Sequence, residues 1–255
     1  MNGIALQRLR SLAFSGLWAV WTAAFSPVLL AIWLAGSPEP WVRAASRVWA
    51  KGVLVSLRVI VGLTYVEHGR ENRPDRPCLV VANHQSTWET IAFLVLMRGV
   101  AIVTKQELLE VPIFGWFLRR SPMILIERES GSKAIRKMVE DGAAALAKGR
   151  SVLIFPEGTR SDPSAPVEFK RGVELLYAKL DCPVLPVAIN SGHFWSATMK
   201  RGGTITVSYL PAIEPGQPPR AAMKQAEQEI QAELDRLRDS GAQPAESRPG
   251  SGAGG

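Results

Sequence analysis

From Leu12 to Gly36 the chain reads LAFSGLWAVWTAAFSPVLLAIWLAG, and no charged residue lies between Arg10 and Glu39. That run is long enough to cross a bilayer or enter it deeply. Pro27 sits near its middle, and basic residues flank both ends (Arg8 and Arg10 before it; Arg43, Arg47 and Lys51 after it), so the flanking charge gives no transit direction. A bent or re-entrant anchor with both ends on the cytoplasmic side fits at least as well as a simple span. A secretory signal is the competing reading, because a short basic region leads in and Ala35-Gly36-Ser37 follows. Against it, the apolar run exceeds the usual signal core of roughly 7–15 residues.

The segment Trp41–Ile60 separates cleanly on a helix turning ~100° per residue. Arg43, Arg47, Lys51 and Arg58 share an arc of about 80°. Trp41, Val42, Ala45, Val48, Trp49, Val53, Val55, Val59 and Ile60 take the other side, with Leu54 and Leu57 on the basic side. Such a helix can lie in a membrane interface, each basic residue near an anionic surface being worth on the order of 1 kcal/mol. An ordinary amphipathic helix docked on the domain has the same pattern.

From about Thr64 the pattern changes to short apolar runs separated by helical stretches. The runs predict strands at Tyr65–His68, Cys78–Ala82, Ala101–Thr104, Met123–Glu127, Ser151–Phe155, Val184–Asn190 and Thr204–Leu210, most of them too continuously apolar for a sheet with one wet face. Helices are expected at Thr87–Arg98, Gly131–Lys148, Arg171–Leu180 and Arg220–Arg238, the second spacing Ile135, Met138, Val139, Ala143 and Leu146 along one face. This alternation predicts an α/β fold with a largely buried mixed sheet of about seven strands flanked by helices. The expected organisation is a membrane-anchoring helical region over 1–62, a catalytic domain over 63–239, and a disordered Pro/Gly/Ser-rich tail over 240–255.

Composition sharpens this picture. The chain is 47% hydrophobic, and its eight Trp outnumber its three Tyr, a bias of interfacial proteins. A net charge of +7 favours anionic partners such as lipid headgroups, phosphates or an acidic carrier protein. No helix-turn-helix, zinc-finger or aromatic RNA-binding signature accompanies that charge, so nucleic acid is not an expected partner. Cys78 and Cys182 lack metal or redox spacing, and neither a disulfide framework nor a metal site is expected.

Two motifs carry candidate chemistry. In the first, the strand LVVAN runs into His84-Gln85-Ser86-Thr87-Trp88-Glu89. On a continuous helix His84 and Glu89 would stand about 140° apart, so they can meet only if His84 lies in the turn before a helix capped by Ser86 or Thr87. A carboxylate on one imidazole nitrogen fixes the tautomer and leaves the other nitrogen to take a hydroxyl proton. Taken alone, a structural histidine explains the pair better. The second motif is Ile154-Phe155-Pro156-Glu157-Gly158-Thr159-Arg160-Ser161, another strand followed by an abrupt polar turn. Gly158 frees its backbone and Arg160 offers a fork suited to phosphate, although a surface turn with a salt bridge would read the same way.

Together, NHQSTWE and FPEGTRS resemble the glycerolipid acyltransferase family, in particular its bacterial 1-acyl-glycerol-3-phosphate acyltransferases. Between them, Lys105-Gln106-Glu107-Leu108 through Pro112 and Gly115 to Ile126-Glu127-Arg128 looks like the family's second block, and after them Val184-Leu185-Pro186-Val187-Ala188-Ile189 looks like its fourth. The resemblance runs in order over about Val66 to Leu210. One departure is that the acid is usually Asp, where this chain has the longer Glu89.

The resemblance implies His84 as general base on the acceptor hydroxyl and Glu89 as its orienting partner. It implies Arg128, Glu157, Gly158, Thr159 and Arg160 as acceptor or phosphate contacts, with Lys105 as a weaker addition. The implied donor is acyl-CoA or acyl carrier protein, the implied acceptor lysophosphatidic acid, and the place of work the cytoplasmic face of the membrane, with no cofactor or metal. A covalent acyl-enzyme is not expected, since neither cysteine lies in a motif and no G-x-S-x-G elbow is present. The residues identify no oxyanion stabiliser, although backbone N–H groups at the start of the helix after His84 are physically plausible donors. Glycerol 3-phosphate or a lysolipid without phosphate are alternative acceptors, and a non-catalytic membrane-peripheral lipid-binding protein is the alternative of another class.

Overall fold

The structure, a computed structural model, describes residues 3–110, 121, 123–127 and 131–241. Arg128, the segment holding Pro112 and Gly115, and the tail from 242 lie outside the described residues.

Seven strands form one mixed sheet: β1 Leu63–His68, β2 Leu79–Ala82, β3 Ala101–Lys105, β4 Ile124–Ile126, β5 Val152–Ile154, β6 Val184–Ile189 and β7 Gly203–Tyr209. Their spatial order is β1-β7-β6-β2-β5-β3-β4. Strands β6, β2, β5, β3 and β4 run parallel, while β7 joins β6 antiparallel and carries β1 parallel to itself. Every predicted strand is present, shifted by a few residues at its ends.

The continuously apolar strands lie between two helical layers. Val80 and Ala82 of β2 point into one core and Leu79 and Val81 into the other, the period-two alternation of a strand buried on both faces. Helices α1 Gly3–Ala24, α2 Ser26–Leu34, α3 Glu39–Ser56 and α4 Trp88–Leu96 lie on the first side. On the second side are α5 Ser132–Ala147, α6 Gly172–Leu180 and α7 Pro219–Asp239. Cys78 and Cys182 are buried just before β2 and β6.

The N-terminal apolar run breaks at Phe25, between α1 and α2, because Pro27 has no N–H to continue the first helix. Together 3–34 are apolar and long enough to cross a membrane, and only a small part of their surface is covered by protein. Helix α1 docks along one stripe. Ser11 and Phe14 are buried, Phe14 and Trp18 meet Trp195 edge-on, and Trp21 Nε1 donates to Trp49 O at 3.1 Å. Gly52 permits that approach, since a Cβ there would lie 2.5 Å from the Trp21 ring. Ile4, Leu9, Leu12 and Val20 stay exposed.

In α3 the apolar side divides in two. Val42, Ala45, Ala50 and Val53 are buried against the protein, whereas Trp41, Val48, Val55 and, in the following π-helical turn Leu57–Val61, Val59 remain exposed. Docking on the protein therefore accounts for one apolar stripe of this helix and leaves the other exposed. The basic arc of Arg43, Arg47, Lys51 and Arg58 lies between the buried and exposed apolar stripes.

Candidate active site

Parallel strands present their carboxyl ends along one edge, where ligands of open α/β sheets bind. Three adjacent strands, β6, β2 and β5, bring three polar turns together there. The β2 turn carries His84, the β5 turn Glu157, and the β6 turn Ser191. Buried Asn83 ties the first turn to the third: its Nδ2 donates to Ile189 O and its Oδ1 accepts the Ile189 N–H, both at 2.8 Å.

His84 precedes α4, and Nδ1 of its imidazole lies 3.8 Å from Glu89 Oε2. That is ion-pair distance rather than hydrogen-bond distance. The His84 ring stacks on Phe155, with centroids 4.2 Å apart, and its side chain keeps 15% exposure while Glu89 has none.

Glu89 stands in the first turn of α4, and Ser86-Thr87-Trp88-Glu89 has the spacing of a capping box. Ser86 Oγ accepts the Trp88 N–H at 3.0 Å, while the Glu89 carboxylate reaches back to the N–H groups of Ser86 at 3.1 Å and Gln85 at 3.0 Å. The Ser86 hydroxyl donates to Glu89 Oε2 at 2.9 Å, and the Ser191 hydroxyl to Glu89 Oε1. Burial pushes the Glu89 carboxyl above the usual carboxylate range, against the pull of the donors from Ser191, Gln85 and Ser86. The amides of Gln85, Ser86 and Trp88 are thus engaged within the turn. Those three amides are therefore not available to an oxyanion.

The β5 turn is clamped to His84 at two points. Glu157 Oε1 accepts the His84 N–H at 2.6 Å, and the Ser161 N–H donates to His84 O at 2.8 Å. Glu157 Oε2 accepts the Ser161 hydroxyl, so both carboxylate oxygens are occupied within the protein. Burial raises this carboxyl too. Although the resemblance puts Glu157 among the acceptor contacts, its carboxylate is turned inward, where it would in any case repel a phosphate.

Thr159 and Arg160 are exposed on the same turn, and Lys105 is exposed where β3 ends on the same edge. Gly158 has φ +72°, and a Cβ there would lie 2.9 Å from Lys170 Nζ. Lys170 thus brings a second cation to the Arg160 turn, its N–H held by Pro156 O at 3.0 Å. Sequence reasoning singled out neither Lys170 nor Ser191. A polar residue just beyond a buried parallel strand was the available signal for Ser191. Lys170 had none, because its proximity depends on the loop folding back. Among the described residues no group of three or more His, Cys, Asp or Glu could hold a metal ion.

The sequence model of the family described as Acyltransferase matches residues 65–190, a stretch that contains the His84 and Glu157 turns and ends just before Ser191. A 1-acyl-sn-glycerol-3-phosphate acyltransferase of Pseudomonas aeruginosa is 39% identical over 176 residues, covering 68% of this chain and 68% of that protein. The human 1-acyl-sn-glycerol-3-phosphate acyltransferase beta is 31% identical over 163 residues, covering 62% of this chain and 59% of its own length. Among solved structures, the 1-acyl-sn-glycerophosphate (LPA) acyltransferase PlsC from Thermotoga maritima superimposes with a TM-score of 0.73 at 23% identity, covering 91% of this chain and 98% of that one. That likeness shows a shared fold.

Proposed function

The chain belongs to the acyltransferase family, and from that premise we propose that it transfers a fatty acyl group from an acyl thioester to the sn-2 hydroxyl of 1-acyl-glycerol 3-phosphate, giving phosphatidic acid. The observation that carries this reading is the pairing of His84 Nδ1 with Glu89 Oε2 at 3.8 Å, at a sheet edge that also bears the exposed cations Arg160 and Lys170.

In this reading Glu89 holds the tautomer with the proton on Nδ1, which leaves Nε2 as the base. As the acceptor oxygen adds to the thioester carbonyl carbon, Nε2 takes the hydroxyl proton. The tetrahedral species then collapses with cleavage of the C–S bond, and the imidazolium returns the proton to the departing thiolate. The products are an oxygen ester and a free thiol, with no acyl-enzyme. Positioned general-base catalysis of this kind contributes about 10²–10⁴-fold. Stacking on Phe155 fixes the ring plane, and Glu157 fixes the main chain that carries it.

Arg160, with Lys170, Thr159 and Lys105 nearby, would receive the acceptor phosphate, and Gly158 leaves space for Lys170. Arg128 belongs to the proposed acceptor set on the family resemblance alone. The chain's charge of +7 suits either polyanionic donor, acyl-CoA or an acidic acyl carrier protein. The exposed apolar surfaces of α1, α2 and α3 and the basic arc of α3 support attachment to a membrane, and we place the catalytic domain on its cytoplasmic face, where the leaflet is anionic.

Thiol release from an acyl thioester, measured across a panel of lysophosphatidate, glycerol 3-phosphate and a lysolipid without phosphate, tests the assignment. Preference for lysophosphatidate is expected. Preference for another acceptor would reassign the substrate, and absence of release with all three would reduce the protein to a lipid binder.

A further inference from the structure

Glutamate at position 89 has one more freely rotating bond than the aspartate usual at this place, so its carboxylate needs more ties to face a fixed imidazole. Two come from the turn's own backbone, at Gln85 and Ser86, and one from the Ser86 hydroxyl. Among the described residues, the donor from another element is Ser191, which lies 102 residues away at the end of β6. We propose that Ser191 is a positioning residue for acyl transfer, its hydroxyl fixing the Glu89 carboxylate in the orientation that faces His84. This rests on the assignment of His84 and Glu89 as the working pair.

The placement of Ser191 is itself rigid. It is completely buried, its carbonyl accepts the N–H groups of Phe194 and Trp195 at 2.9 Å, and the preceding Asn190 is tied to Thr206 of β7, its side chain accepting the Thr206 N–H at 2.8 Å. The N–H groups of Gln85 and Ser86, which donate to both Glu89 oxygens, favour its ionised form. The oxygens of Ser86, Ser191 and Glu89 approach one another in a triangle, with the two serine oxygens 2.9 Å apart. Two hydroxyl protons serve three contacts. An ionised carboxylate accepts both hydroxyls and leaves the contact between the two serine oxygens without a proton, while the Trp88 N–H fills a lone pair of Ser86 Oγ. Ser191 therefore favours the ionised acid against its burial. The ionisable groups around this site are His84 on the same turn, Glu157 from the β5 turn and His193, two residues beyond Ser191.

Profiles of kcat/KM against pH for the full chain, with Ser191→Ala and Ser191→Thr beside wild type, test this with lysophosphatidate and an acyl thioester. Ser191→Ala is expected to move the acid limb upward by about one pH unit, the effect of losing one hydrogen bond to a charged group. Activity should recover toward wild type on the alkaline side, and Ser191→Thr, which keeps the hydroxyl, should restore the limb. An unmoved limb in Ser191→Ala, or a loss uniform in pH in both variants, overturns the proposal. Should Ser191→Ala not fold, Ser191→Cys is the near-isosteric replacement with a weaker donor, and it must shift the limb the same way. Infrared titration of the Glu89 carboxyl, identified by its disappearance in Glu89→Gln, reads the same shift without substrate. An inactive wild type would therefore sink the substrate assignment, whereas an unshifted Glu89 titration in Ser191→Ala would sink the role of Ser191.

Discussion

The main-chain N–H of His84 donates to Glu157 Oε1 at 2.6 Å, joining two motifs that stand 73 residues apart in sequence. The FPEGTRS turn thereby does two separable jobs: Glu157 faces inward and holds the base, while Arg160 faces outward. Replacing Glu157 by Ala leaves a buried donor unsatisfied, at a cost of about 1–3 kcal/mol. Glu157→Ala is expected to lower kcat on the order of ten- to a hundredfold with little change in acceptor KM. Arg160→Ala should instead raise the KM for a phosphate-bearing acceptor and spare one without phosphate. Steady-state kinetics on both acceptors separates the roles, and an acceptor KM that rises as much in Glu157→Ala as in Arg160→Ala would put Glu157 on the substrate.

Glu89→Asp should retain more activity than Glu89→Gln. Each Glu89 oxygen accepts from backbone and hydroxyl donors, so whichever way the Gln amide turns, its NH₂ meets donors. Aspartate keeps the charge and gives up reach. Single-turnover rates for the two variants check the order, and the reverse order would remove the tautomer argument.

Acidification should inactivate the enzyme before it unfolds it. Burial raises Glu89 and Glu157, so the native state holds those protons more tightly than the unfolded chain does. Their contribution to stability is then greatest below the ordinary value of 4.5 and is lost as pH rises through the folded-state values. Activity has the opposite sign, because an ionised Glu89 is needed to orient His84 and an unprotonated His84 is needed to take the hydroxyl proton. On lowering pH, kcat/KM should begin to fall above 4.5, reversibly, with no matching fall in the melting midpoint. Activity and melting midpoint falling together over that interval would contradict this.

Membrane attachment should depend on the exposed stripe of α3 and its continuation. Among the described residues, Trp41, at 57% exposure, and Val59, at 76%, have no partner that would account for large apolar side chains there. Trp41→Glu and Val59→Glu should each weaken sedimentation with anionic vesicles by about 1.5–3 kcal/mol, the value of burying one such side chain. Val53→Glu, at a buried position, should instead destabilise the fold. Unchanged sedimentation by the first two variants would move the contact to another surface.

Much of this architecture is legible in the sequence because short, continuously apolar runs bounded by polar turns determine where buried parallel strands lie. The turn that lifts His84 off the helix is legible too, since Ser86 and Glu89 stand at capping-box spacing. What periodicity does not show is which apolar stripe of α3 meets protein, because Val53 and Val55 are alike in composition and differ only in what the fold places beside them. Contacts across the sheet edge are equally hidden. Ser191 reaches Glu89 and Glu157 reaches the His84 amide only after β6 and β5 have paired on either side of β2. The engagement of the helix-start amides by Glu89 and Ser86 follows from side-chain rotamers that spacing alone does not determine.

Turnover by His84→Ala is the most direct measurement. With lysophosphatidate and an acyl thioester, wild type should release thiol and form phosphatidate, while the folded, vesicle-bound variant should be slower by about 10²–10⁴-fold, the contribution of a positioned general base. Near-normal transfer by folded His84→Ala would contradict the role assigned to this residue.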